Sequence, residues 1–169
     1  KEEFDIYGVD FRKRGKITDE MIEVLHKLWT GEMVEHHSEN FSFPRVQLSP
    51  AAASPPRIYV GGTSDIALRR AARAGNGYIG AGTAPADVKP LLSRLDTLRG
   101  EYKREQLPFE AMLGIADIPS RELYQRLAED GLESTVAPPF QYALGKKRST
   151  LDEKKRFMED YAENILRHF

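Results

Sequence analysis

Cysteine is absent from this 169-residue chain, which excludes disulfides, thiolate nucleophiles and cysteine metal centres. That absence fits a reducing compartment, and a cytoplasmic location is expected. An excess of one charge is also missing: 25 Lys and Arg stand against 26 Asp and Glu, a formal net charge of -1. A chain so balanced has no general attraction for nucleic acid or an anionic membrane, so the expected partner is a small molecule or another protein. No apolar run approaches the roughly 20 residues of a membrane-spanning helix. The opening KEEFDIYG lacks a charged-then-apolar signal pattern. It starts on Lys1 rather than Met, as expected of a segment cut or lost from something longer.

What the sequence does hold is an alternation of short strands and helices. Thr18 reads as a helix N-cap ahead of Asp19 and Glu20, with Met21, Ile22, Leu25, Leu28 and Trp29 on one face and Gly31 as the stop. VEHHSENFSF reads as a polar hairpin and PAAASPP as a linker, an insertion over about residues 32–56 in a single domain of 1–169. RIYV then runs into Gly61 and Gly62, and Ser64 caps a helix through Ala74, with Gly75 closing it. GYIGAG is the next strand, and Thr83 with Pro85 opens a helix faced by Val88, Leu91, Leu92, Leu95, Leu98 and Tyr102. FEAMLGIADI and ESTVAPP supply two further strands. Ser120 opens the helix between them, which carries Leu123, Tyr124 and Leu127. Thr150 with Glu153 forms a capping box for a last helix faced by Phe157, Met158, Tyr161, Ile165 and Phe169. This succession of βα units implies an α/β fold with a parallel sheet and right-handed crossovers. Two architectures accommodate it: half of an eight-stranded barrel, or an open doubly wound sheet. In both, ligands collect at the C-terminal ends of the strands.

The stretch PPRIYVGGTSDIALRRAARAGNGYIGAG, Pro55 to Gly82, places its glycines at two such ends. A strand ending in Gly-Gly, followed by Thr-Ser and a helix, offers open backbone amides and two hydroxyls at a positive helix terminus, which suits a phosphate. The same residues also make a tight turn with a serine cap, and GGTS matches neither the Walker nor the dinucleotide fingerprint. Spacing alone leaves both readings open. His36 and His37 are adjacent, so on a strand they point to opposite faces and do not chelate one metal together; no metal site is expected. Arg69 and Arg73 read as solvated surface, Arg70 as a secondary ligand contact and Trp29 as core. No Ser/His/acid spacing, metal cluster or nucleophile elbow is present, and the catalytic residues remain unassigned.

The combination EEFDIYGVDFRKRGKITDEMIEVLHKLWTGEMVEH, FSFPRVQLSP and PPRIYVGGTSDIALRRAARAGNGYIG resembles the later part of the bacterial luciferase-like oxidoreductases. In particular it is similar to actinobacterial members that use the deazaflavin coenzyme F420. The resemblance continues in weaker form through LLSRLDTLRGEYKRE and the final helix. It implies the second half of a TIM barrel that binds F420, or alternatively FMN, at its C-terminal face. By this likeness Gly61, Gly62, Thr63 and Ser64 match the cofactor-phosphate turn, Arg14 is a second phosphate partner, and Gly80, Ala81 and Gly82 lie where chain and cofactor approach closely. The family's usual Gly-Asp-Gly-Trp is here Gly75, Asn76, Gly77 and Tyr78, which removes a charge. The resemblance implies an oxidoreductase or monooxygenase acting on a small molecule, with the first half of the barrel and its proton-handling residues absent. Four parallel strands cut from a barrel leave one sheet face and two edges uncovered, so a homo-oligomer, or association with the missing N-terminal half, is expected. A non-catalytic phosphate-binding or assembly module is the alternative.

Overall fold

Helix formation near the start of the chain begins before the position that the capping pattern predicts. The structure, a computed structural model, describes all of residues 1–169 and divides into two compact units, Lys1–Arg57 and Ile58–Phe169. In the first, α1 (Glu2–Ile6) is followed by α2 (Arg14–Leu28). Thr18 therefore lies inside α2 rather than capping it, and its hydroxyl donates back to the Arg14 carbonyl at 2.8 Å. The buried positions of α2 are Ile22 and Val24, while Met21, expected on the apolar face, is exposed. An antiparallel hairpin follows, β1 (Val34–His37) and β2 (Ser42–Val46), with His36 opposite Phe43.

Glu20 of α2 ties that hairpin down. Its carboxylate accepts from Asn40 Nδ2 at 2.6 Å and from the Ser38 hydroxyl, and meets His36 Nε2 at 2.7 Å. These hydrogen bonds, led by Ser38 and Asn40 and then His36, hold the Glu20 carboxyl down at about 2.

The second unit is a four-stranded parallel sheet in the order β3 (Tyr59–Gly61), β4 (Gly77–Thr83), β5 (Glu110–Ile115) and β6 (Ser134–Val136). The crossovers are α3 (Asp65–Ala74), α4 (Pro85–Glu101) and α5 (Arg121–Glu129), and α6 (Phe140–Ala143) and α7 (Leu151–Asn164) follow β6. A doubly wound sheet reverses its strand order at a switch point; this order runs strictly with the sequence, as it does around a barrel.

Local chemistry sets the helix starts. The Ser64 side chain accepts from the Ala67 amide, Ser120 does the same from Leu123, and Thr150 and Glu153 complete a reciprocal capping box. Thr83 departs from expectation. It is the last residue of β4, pairs with Ile115, and leaves Ala84 at the N-cap of α4 without a side-chain bond. Pro85 at the first helical position starts that helix instead, where its missing N–H has no partner to lose.

Strand alternation then sorts side chains between two sheet faces. Val60, Tyr78 and Leu113 are buried with Ala71 and Ala72 of α3, Val88, Leu95 and Leu98 of α4, and Leu127 of α5. Gly61, Ile79, Met112 and Ser134 form a row in register on the alternate positions, and Ile79 there stays 41% exposed. Just past the last helix Ile165 is buried as predicted, whereas Met158 and Phe169 are exposed; Phe157 and Tyr161 make aromatic contacts with Phe140 and Tyr124, and Phe169 meets the Tyr124 ring edge-on while staying largely in solvent.

Candidate functional site

The turn after β3 is shaped by one residue in a conformation that favours glycine. Gly62 has φ +121°, and a Cβ at that position would stand 2.8 Å from the Ala67 Cβ. The chain thereby turns sharply into α3, with Gly61, Gly62, Thr63 and Ser64 all exposed. The amides of Thr63, Ser64, Asp65 and Ile66 donate to no group of the protein. They are the orphan donors of a helix start, gathered beside a backbone that no side chain obstructs. The Ser64 oxygen accepts from the Ala67 amide at 3.3 Å, which leaves its O–H free to donate outward.

One residue of β4 braces this turn, while Asn76, just before β4, ties the opposite ends of the strands. Tyr78 is buried, and its hydroxyl donates to the Gly62 carbonyl at 3.1 Å. That bond holds the carbonyl towards the sheet, and burial pushes the phenol's pKa up. Asn76 accepts the Ile58 amide on its side-chain oxygen at 2.9 Å, while its own amide donates to the Ile58 carbonyl at 2.7 Å. The Asn76 carbonyl also accepts from the Glu110 amide at 3.2 Å. One residue thus staples the starts of three strands. The acceptor it supplies is one that an aspartate has too, so the role survives without the charge.

The electrostatics at the start of α3 include a carboxylate, and it is compensated. Asp65 meets Arg94 of α4 at 2.6 Å and Arg69 at 2.8 Å, and Arg94 first and Arg69 second hold its pKa below the ordinary range. Arg69 also meets Glu101 of α4 at 2.7 Å, so two guanidinium groups balance two carboxylates and the helix start carries no net negative charge. Arg94 is a member of this group that sequence spacing did not suggest. Arg70, the secondary candidate, is half-buried and already has an interaction partner.

At the end of β4 the expected residues divide in two. Gly80 is buried, and a Cβ there would meet Leu113 Cδ2 at 2.9 Å, so its smallness serves packing. Ala81 and Gly82 are exposed where the pairing with β5 shifts register, and Gly82 adopts φ +69° with open space around it. Pairing of Gly61 with Ile79 places these residues and the β3 turn on adjacent strands at one end of the sheet. Gly114 of β5, which sequence spacing did not suggest, lies beside this strip but is only half-exposed: a Cβ there would be in ordinary contact with the β4 backbone, 3.6 Å from Ala81 Cα and from the Gly80 carbonyl oxygen.

Arg14 lies in the other unit. It begins α2, stacks its guanidinium 3.7 Å from the centroid of the Phe11 ring and donates to the Phe11 carbonyl at 2.6 Å. With Asp10 and Arg12 it lines a cavity of about 500 Å³. His36 and His37 separate as the strand geometry requires, one to Glu20 and one to Ser42, and no group of three or more His, Asp or Glu is placed to hold a metal ion.

Comparison with known proteins fits this architecture. The profile of the luciferase-like monooxygenases matches residues 1–165. The chain belongs to that family. An uncharacterised protein of Mycobacterium tuberculosis is 36% identical over 166 residues, 98% of this chain and 57% of that protein, so the chain spans little more than half its length. Among solved structures, the monooxygenase RslO1 from Streptomyces bottropensis superposes with a TM-score of 0.57 at 20% identity, covering 96% of this chain and 54% of that one. An F420-dependent secondary alcohol dehydrogenase in complex with an F420-acetone adduct gives 0.55 at 15% identity, covering 92% and 55%. At these identities the likeness establishes the fold. The four parallel strands with their crossovers correspond to half of the family's barrel. No helix is long and apolar enough to cross a membrane.

Proposed function

We propose that this chain is the cofactor-phosphate half of an F420-dependent oxidoreductase, with FMN as the alternative cofactor. The observation that carries the reading is the run of unengaged amides at Thr63, Ser64, Asp65 and Ile66, in a turn that Gly62 opens and Tyr78 braces, within a chain of the luciferase-like family. These amides and the Ser64 hydroxyl would hold the phosphate, and the exposed strip of Gly61, Ala81 and Gly82 would lie against the flat ring system. The cofactor supplies hydride or oxygen chemistry, and the protein supplies position and electrostatics.

The same reading requires a complementary half. Parallel sheets are normally covered on both faces, whereas Ile79 on the second face is 41% exposed and β3 and β6 each have an unpaired edge. A second copy of the chain, or the other half of the barrel, would cover them. Turnover is expected only in that completed assembly, because catalysis depends on placement at the reacting atom.

The test compares FMN with riboflavin, which differ only in the phosphate, and F420 with a deazaflavin lacking it. The titrations use the chain together with its complementary half. Ser64→Ala should weaken binding of the phosphorylated form by about 10- to 150-fold, as the loss of a charge-assisted hydrogen bond implies. It should leave the unphosphorylated form unaffected. Equal losses for both forms would show that the turn has no phosphate role, and a chain that binds neither cofactor would favour a non-catalytic assembly module.

A further inference from the structure

Beyond β6 the chain builds a second concave surface that the cofactor reading does not use. A cavity of about 470 Å³ lies between α6 and α7, lined among others by Phe140, Lys146, Lys147, Arg148, Ser149 and Lys154. Its lining includes four cationic side chains and no acidic one. That concentration contrasts with a chain whose formal net charge is -1.

The cations are not equivalent. Lys146 is taken up by Glu153, which also closes the capping box of α7, so neither that lysine nor the helix start is left for a ligand. Lys154 stands 5.5 Å from the Phe140 ring centroid, a cation held over an aromatic face. Lys147 and Arg148 are exposed and meet no carboxylate. Three cations therefore remain uncompensated around one concavity, with the Ser149 hydroxyl and the Phe140 ring beside them. Two adjacent, unpaired cations repel each other, and an anion between them relieves that repulsion.

The location is informative as well. In a parallel sheet all strands end on one edge, so the segment after β6 leaves from the same edge as the turn after β3. Three strand spacings separate the two, roughly 14 Å. One phosphate does not reach both places.

We propose that this cavity is a separate anion site for a small molecule, or the outer end of one, bearing at least two phosphate or carboxylate charges. Lys147 and Arg148 provide the charge, Ser149 a hydroxyl donor and Lys154 the cation of the opposite wall. The inference does not depend on the identity of the cofactor at the β3 turn.

Inorganic pyrophosphate and citrate, titrated into the 169-residue chain at about 0.15 M salt, where exposed charges outside the site are screened, distinguish phosphate from carboxylate chemistry. The wild type should bind at least one of them. The charge-reversed pair Lys147→Glu/Arg148→Glu should weaken that binding by about tenfold or more, and the milder Lys147→Gln/Arg148→Gln should weaken it by less. Lys155→Glu/Arg156→Glu changes the net charge equally on residues outside the cavity and should leave affinity within about twofold, since exposed charges beyond the site act weakly. Melting temperatures of all variants report whether the fold is kept. If neither probe binds, or if both charge-reversed pairs lose the same affinity, the cavity is not an anion site.

Discussion

Replacing Gly62 with alanine tests the geometry on which the phosphate turn depends. Two separate penalties are expected. A side chain at φ +121° is strained by about 1–3 kcal/mol. The new Cβ would also lie 2.8 Å from the Ala67 Cβ, closer than Cβ contacts tolerate, and overpacking of this kind typically adds about 1–3 kcal/mol. Urea unfolding of Gly62→Ala should therefore show a loss of roughly 2–6 kcal/mol, measured without ligand. Gly82→Ala isolates the backbone part, because Gly82 has φ +69° but open space around it; about 1–2 kcal/mol is expected there. The steric part is isolated by Ala67→Gly, which alone costs about 1 kcal/mol in a helix. Combined with Gly62→Ala it should recover about 1 kcal/mol or more of the contact penalty, read as a coupling energy in the double-mutant cycle. A loss below about 0.5 kcal/mol in Gly62→Ala, or a coupling near zero, would refute the argument that this turn is held tightly against α3.

Three further outcomes follow from the same coordinates. Asn76→Ala leaves the Ile58 amide without its acceptor and should lower stability by about 1–3 kcal/mol, whereas Asn76→Asp keeps the acceptor and should stay within about 0.5 kcal/mol in thermal unfolding. Because the Glu20 carboxyl is held at about 2, below its ordinary 4.5, its contribution is complete above pH 4.5 and is lost as the pH falls through 2. Protection factors of the hairpin amides, exchange rates taken relative to the intrinsic rate at each pH, should fall in that window, and Glu20→Gln should remove most of this pH dependence; an unchanged profile in that variant would contradict the assignment. Leu113 has no exposed surface, so Leu113→Ala should cost about 2–5 kcal/mol by calorimetry, and a value under 1 would mean that the sheet and helices are loosely packed.

The features legible in the sequence were those set by short-range chemistry. Ser64, Ser120 and Thr150 all cap helices because a hydroxyl three residues ahead of an amide is a local arrangement that tertiary packing rarely overrides. Thr18 and Thr83 looked alike in sequence yet failed, one absorbed into a helix that starts at Arg14 and the other held by pairing with Ile115. Neither competing partner is visible in a local window. Long-range bonds were hidden for the same reason. The Tyr78 hydroxyl reaches Gly62 across 16 residues only because β3 and β4 pair in parallel. Arg94 reaches Asp65 only because α4 packs beside α3. The residues 146–148 form an obvious basic run, but the concavity around them needs α6 and α7 to meet.

The polar groups at the C-terminal edge of the sheet argue for a division of labour. Around the β3 turn and the end of β4 stand hydroxyls, amides and small side chains, and the charged groups at the α3 start, Asp65, Arg69, Arg94 and Glu101, are tied into one paired network. A proton-transferring residue needs a pKa near the working pH and a free path to the reacting atom. The carboxyl of Asp65 is moved away from that range by its two arginines, and His36 is engaged with Glu20 in the other unit. The unengaged donors at this edge are amides and hydroxyls, whose chemistry is to bind and orient an anion rather than to exchange protons. A site built this way suits the role proposed for it, holding a cofactor whose own ring carries the electrons.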